Sequence, residues 1–232
     1  MTQSKAGASQ SEVFRYGGYG TVLLIGLLLY VGLHPLMLGG MAARLIGGAI
    51  VAVILFSGTV VASRSKILRA IGVVLATTTF GLQIGWLTTH HTTIEAAMMA
   101  SFAVFCVYTA IVILRHVLSF GPLYADRVHA ALSVYILLAL AWAGAYAMIE
   151  ILSPGSFVAP VGAGAKPAEG SYLLAQMLHL SIATLTSTGY GDVTPVAPFA
   201  RSLSQLEQLT GVFYIAVLIS RLIGLYPMEE RG

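Results

Sequence analysis

The sequence predicts an all-α integral membrane protein: four lead transmembrane helices, then a two-helix module that encloses a short re-entrant helix. Three observations carry this prediction. Residues of the AVILMFWYC set make up 57% of the chain and charged residues only 9%, against roughly 25% charged in an average globular domain. Six stretches, near 20–38, 45–63, 70–88, 95–114, 129–151 and 203–225, each approach the length a helix needs to cross a hydrocarbon core, about 20 mainly apolar residues. A further apolar run, Ser171 to Thr186, is too short to cross and reads as a helix that enters and leaves by the same face.

This composition excludes an ordinary cytosolic, disordered or nucleic-acid-binding chain. The formal charge of +3 is small, so the placement of the charges matters more than their sum. Short cytoplasmic loops concentrate lysine and arginine. With six spans and both termini cytoplasmic, Lys5, Arg15, Arg64, Lys66, Arg69, Arg115, Arg127, Arg221 and Arg231 lie inside, and Arg44, Lys166 and Arg201 outside. That bias supports both the count of spans and a multi-pass place in the cell (inner) membrane. A secretory signal in residues 1–43 competes for the first span, but its apolar run exceeds the roughly 7–15 residues of such a signal. Residues 1–18 are polar and glycine-rich and read as a cytoplasmic tail, and Ser153 to Gly170, with three prolines and four glycines, as an external loop. No repeat of solenoid length is present. The single cysteine, Cys106, lies in an apolar stretch and reads as a buried, inert thiol.

Chemistry concentrates between the fifth and sixth spans, in TLTSTGYGDVTP from Thr184 to Pro195. Dehydrating a small cation costs on the order of 20 kcal/mol in the idealised limit, so oxygen ligands must replace its water. Backbone carbonyls do this without adding net charge. Gly189 and Gly191 suit the task because glycine visits φ > 0 freely and lets neighbouring carbonyls point one way. Tyr190 between them wedges outward, and Ser187 adds a hydroxyl oxygen at the inner end. The preceding short helix directs its partly negative C-terminus inward, which favours a cation there. One strand cannot encircle an ion, so a closed ring requires several copies of the chain around an axis.

At these residues the chain resembles the potassium channel superfamily, whose filter signature TxTTVGYGD is matched as Thr184, Leu185, Thr186, Ser187, Thr188, Gly189, Tyr190, Gly191 and Asp192. The resemblance implies a homotetramer in the lipid bilayer. Its selectivity filter would be Thr186, Ser187, Thr188, Gly189, Tyr190, Gly191 and Asp192, with carbonyls of Ser187, Thr188, Gly189 and Tyr190 and the Ser187 hydroxyl binding K+. Two residues depart from the family pattern: Ser187 keeps the hydroxyl of the usual threonine but loses a methyl, and Thr188 stands for valine or isoleucine. From about Gly121 to Leu225 the chain looks like the pore half of small bacterial potassium channels. Residues 120–232 therefore read as a pore domain with outer helix, pore helix, filter and inner helix. Residues 19–119 resemble a voltage-sensor-like four-helix bundle without its charges: the fourth span, Glu95 to Leu114, holds no arginine or lysine, and Arg115 only closes it.

Around the filter, Gly211 sits where the family often has a gating hinge, and close helix packing is the other reading of a small residue there. Ile215 and Ile219, at helical spacing below it, line either the cavity or a subunit contact. Glu150 and Glu207 are carboxylates at membrane depth, costly unless paired or wet. Arg201 is a candidate partner, and a protonated, hydrogen-bonded role is the alternative. Asp192 faces the outer vestibule, where it concentrates cations; Ala183 occupies the place of the pore-helix acid with which that aspartate pairs in some relatives. His179 replaces an aromatic of the filter's cuff and reads as a packed imidazole rather than a pH sensor. His90 and His91 have no third ligand nearby for a metal, and Trp86, Trp142 and the tyrosines read as belt or packing residues. Only Tyr226 to Gly232 follow the sixth span, so gating is expected to come from the membrane part, lipid or a separate partner, and no cofactor is expected.

The reading is a potassium-selective channel, not an enzyme, conducting passively and without intrinsic voltage gating. A weakly selective monovalent cation channel is the near alternative. A transporter or membrane enzyme using Glu150, Glu207 and His179 is the distant one, and a non-conducting scaffold another.

Overall fold

The computed structural model describes residues 19–33, 47–50, 52–53, 56, 65–118, 125–158 and 171–225. Helices dominate: α1 (Tyr19–Leu33), α2 (Lys66–Thr89), α3 (Thr92–Leu118), α4 (Ala125–Leu152), α5 (Ser171–Leu185) and α6 (Pro198–Leu225). Among the described residues, four helical segments are long and apolar enough to cross a membrane: Lys66–Thr89, Thr92–Arg115, Arg127–Leu152 and Pro198–Ser220. They coincide with the third to sixth expected spans and run a few residues past them at most ends. Helix α1 covers most of the first expected span. The expected tail, most of the second span and residues 159–170 of the outer loop lie outside the described residues.

Helix α4 is the hub, packing against α1, α3, α5 and α6. Its sequence explains why: Ala130, Ala131, Ala139, Ala141, Ala143 and Ala147 are buried, and small residues let apolar helices approach closely where lipid gives no hydrophobic drive. At Gly144 an added Cβ would lie 3.1–3.2 Å from Phe102, Ala103 and the Met99 carbonyl of α3. The core against this helix includes Leu27 and Tyr30 of α1, Phe105 and Cys106 of α3, and Leu173 and Leu178 of α5. Cys106 is fully buried, as expected.

A two-residue turn, His90–His91, joins α2 to α3. His90 takes the left-handed conformation (φ 49°) and its N–H bonds the Trp86 carbonyl at 2.8 Å, closing α2. Hydroxyls stitch the lead helices together: Thr79 meets Ser101 at 2.7 Å, and the Tyr108 hydroxyl donates to the Leu68 carbonyl at 2.5 Å. By contrast, α6 leaves most of its apolar surface uncovered, with Leu206, Leu209, Phe213, Val217 and Ile219 all at least half exposed.

Two short strands, β1 (Phe157–Val158) and β2 (Thr194–Pro195), pair antiparallel with Phe157 opposite Pro195 and Val158 opposite Thr194. They depart slightly from an all-helical chain. Tertiary pairing creates them, since neither run has length enough to signal a strand alone.

Candidate functional site

Helix α5 spans 15 residues, about 22 Å at 1.5 Å per residue, short of a hydrocarbon core. Its end is a Schellman cap. The Thr188 N–H reaches back to the Ala183 carbonyl at 2.8 Å and the Ser187 N–H to the Thr184 carbonyl at 2.9 Å. The residue just past the helix end, Ser187, is left-handed at φ 56°, where glycine is usual. A β-branched residue is strained in this conformation, so serine is a better fit here than threonine. The cap thus supplies a local reason for one departure from the family signature.

Beyond the cap the left-handed conformation recurs at every second residue: Ser187 (φ 56°), Gly189 (φ 61°) and Gly191 (φ 75°), while Thr188 and Tyr190 keep negative φ. Alternation of right- and left-handed residues gathers N–H groups on one edge of a chain and so turns the carbonyls to the other. Thr186 to Asp192 are all exposed, Tyr190 at 70%. The Thr186 hydroxyl lies 2.7 Å from the Ile182 carbonyl and 2.8 Å from the Thr188 hydroxyl. With one proton on each hydroxyl, Thr186 donates to the carbonyl and Thr188 to Thr186. The extra hydroxyl at position 188 is therefore engaged within its own chain.

Both ends of this segment are held. At the inner end, the Leu185 carbonyl accepts the Tyr135 hydroxyl of α4 at 2.9 Å. The same carbonyl nearly touches Gly211 of α6, where a Cβ would come within 2.0 Å of the oxygen. Close packing therefore requires a glycine at this position. Tyr214, one turn on, donates to the Ala131 carbonyl at 2.5 Å and its ring packs 5.6 Å from that of Tyr135. Further along α6, Ile215 and Ile219 are exposed at 42% and 50%.

At the outer end, His179 Nε2 lies 2.7 Å from Asp192 Oδ2, and the imidazole stacks on the Tyr190 ring at 5.4 Å and 18°. His179 is about half exposed in the single chain and packs one face of its ring on Tyr190. It keeps the aromatic contact expected of the cuff and adds a partner for Asp192, which the alanine at 183 cannot be. Asp192 also accepts the Val193 N–H at 3.0 Å.

The strand pair extends this outer anchorage. Val196 N–H bonds the Ser156 carbonyl at 2.9 Å, and Glu150, at the end of α4, accepts the Gly155 N–H (2.8 Å) and the Phe157 N–H (3.0 Å) on its two oxygens. Arg201, one candidate partner for the acids, donates from Nε to the Pro195 carbonyl at 3.2 Å. Glu150→Ala is expected to remove both loop bonds and cost about 1–3 kcal/mol. Faster hydrogen exchange at the Gly155 and Phe157 amides would register that loss, and unchanged exchange would contradict it.

Glu207 is fully buried on α6. The hydroxyls of Tyr146 (α4) and Ser181 (α5) each approach one of its oxygens to 2.5 Å. The sequence marks Tyr135 and Tyr146 only as belt or packing tyrosines and Ser181 not at all, since hydroxyls on apolar helices carry no motif.

A family model described as ion channel matches residues 134–226, from within α4 through α6. No curated protein and no solved structure matches the chain. The matched stretch contains the glycine-bearing segment, both of its anchors and most of the two long helices that flank it, and over these residues, two fifths of the chain, the protein is similar to ion channels.

Proposed function

We propose that four copies of the chain surround an axis and conduct K+ passively through a filter formed by Thr186 to Asp192. The carbonyls of Ser187, Thr188, Gly189 and Tyr190, with the Ser187 hydroxyl, replace the water of the ion in transit. The observation that carries this reading is the alternation of φ at 187, 189 and 191, which turns successive carbonyls to one edge. The exposure of that whole segment in a single chain supports closure by further copies, as does the uncovered apolar surface of α6. In the assembly α5 is the re-entrant pore helix, Asp192 faces the outer vestibule, and Ile215 and Ile219 lie towards the cavity. Both termini are cytoplasmic. Engagement of the Thr188 hydroxyl by Thr186 leaves carbonyls rather than a second hydroxyl facing the ion, which favours selectivity for potassium over the weakly selective alternative.

Reconstitution into vesicles with imposed potassium and sodium gradients tests the proposal. Flux is expected to follow potassium, with a reversal potential near the potassium equilibrium value; equal sodium flux would overturn the selectivity, and no flux the function. In the same membranes conductance is expected to vary only weakly with voltage. A charge moved through the field contributes about 2.3 kcal/mol per 100 mV, and from Thr92 to Leu114 helix α3 carries no basic residue. A steep conductance-voltage curve would contradict this.

A further inference from the structure

The carboxyl of Glu207 is not among the proposed ion ligands, yet it joins three helices. Glu207, Tyr146 and Ser181 are each 0% exposed. Tyr146 Oη lies 2.5 Å from Glu207 Oε2, Ser181 Oγ 2.5 Å from Oε1, and the same Ser181 oxygen 2.8 Å from the Ala139 carbonyl of α4.

The hydrogens available decide how these contacts work. A serine hydroxyl has one proton and a phenol one, whereas an ionised carboxylate has none. With Glu207 ionised, Ser181 would face two acceptors with a single proton, leaving one close oxygen pair with no hydrogen between its members. The anion would also be buried without a cation, since no Lys, Arg or His forms an ion pair with it among the described residues, and an uncompensated buried charge costs several kcal/mol. One proton on Oε1 removes both difficulties. Tyr146 then donates to Oε2, Glu207 donates to Ser181, and Ser181 donates to the Ala139 carbonyl.

We infer that Glu207 is a neutral carboxylic acid and a positioning residue, whose directed chain of hydrogen bonds through Ser181 sets the depth and rotation of α5 beneath the filter. Ser181 stands one turn before Leu185, whose carbonyl begins the anchored segment, so a shift of Ser181 is passed along a rigid helix to Ser187. The inference rests on the channel reading of that segment, and wild-type flux is the baseline that tests the reading separately.

Glu207→Gln, Glu207→Asp and Glu207→Ala, reconstituted in parallel, separate shape from charge. The glutamine amide accepts from Tyr146 through its oxygen and donates to Ser181 through its nitrogen, so Glu207→Gln is expected to keep wild-type potassium flux and selectivity. Aspartate keeps the acid but falls a methylene short. Glu207→Asp and Glu207→Ala are each expected to lower flux about tenfold or more, from the cost of buried groups left without partners. In the infrared difference between wild type and Glu207→Gln, a carboxylic acid carbonyl band is expected without carboxylate bands. Loss of flux in Glu207→Gln equal to that in Glu207→Ala, or carboxylate bands in the difference spectrum, would overturn the inference. The infrared result decides the protonation state even if Glu207→Ala fails to assemble or the wild type proves not to conduct.

Discussion

Gly211→Ala is expected to abolish most potassium flux and to relax selectivity in whatever current remains. The added methyl would stand 2.0 Å from the Leu185 oxygen, 2.9 Å from its carbonyl carbon and 3.1 Å from its Cα. All three atoms are backbone, so no side-chain rotation relieves the clash. Overpacking of a close contact typically costs about 1–3 kcal/mol, and in the proposed tetramer it would recur in every subunit. Relief requires α6 to withdraw or Leu185 to move. The Leu185 carbonyl is held by Tyr135, and the chain beyond Leu185 is the proposed filter, so displacement at this point misplaces Ser187. A pure hinge would behave differently: alanine would shift the balance between open and closed gates but leave the selectivity of the open channel intact. Reversal potentials of Gly211→Ala in mixed potassium and sodium distinguish the two. A shift towards the sodium equilibrium value supports the contact at Leu185, and an unchanged reversal potential with altered open probability supports the hinge. Tyr135→Phe removes only one hydrogen bond to the same carbonyl and is expected to act in the same direction with a smaller effect, about 1 kcal/mol.

Four of the spans and the left-handed glycines are legible in the sequence because each rests on a local constraint. A bilayer demands uninterrupted apolar length, which hydropathy records directly, and the third to sixth expected spans coincide with long helices. Glycines at 189 and 191 signalled left-handed backbone, which they adopt. The third left-handed residue, Ser187, was not foreseen, since it follows from the helix cap rather than from residue type. The anchors were less legible because they join distant positions: Glu207 meets Ser181 and Tyr146 across 26 and 61 residues, and Glu150 reaches the filter only through a strand pair. Of the two readings of Glu207, helix geometry already disfavours Arg201 as its partner within one chain. Arg201 and Glu207 are six positions apart on one helix, about 240° around its axis, so they point to different faces and cannot pair. His179 was placed correctly beside the filter but not against Asp192, because the aromatic role it inherits hides the second use of its ring nitrogen.

Gly189→Ala is the second large effect, and it isolates conformation from packing. No heavy atom lies within 4 Å of a Cβ built at Gly189, whose φ is 61°, so within one chain the methyl meets open space. The penalty is the left-handed backbone, about 1–2 kcal/mol for an L-residue with a Cβ, repeated in each copy around the ring. The relaxed alternative is a negative φ at 189. That would break the alternation between Ser187 and Gly191 and rotate the peptide joining Thr188 to Gly189, turning the Thr188 carbonyl away from the axis. An ion would then lose a ring of ligands at one site while the helices, anchored through Leu185, Glu150 and Glu207, stay in place. The expected result is a tetramer of normal thermal stability whose potassium flux falls about tenfold or more and whose selectivity over sodium weakens. Wild-type selectivity and flux in Gly189→Ala would show that the carbonyl of Thr188 does not bind the ion. Collapse of the assembly would show instead that the filter backbone holds the subunits together. Only preserved stability with lost selectivity fits a strand whose alternating handedness exists to aim its oxygens.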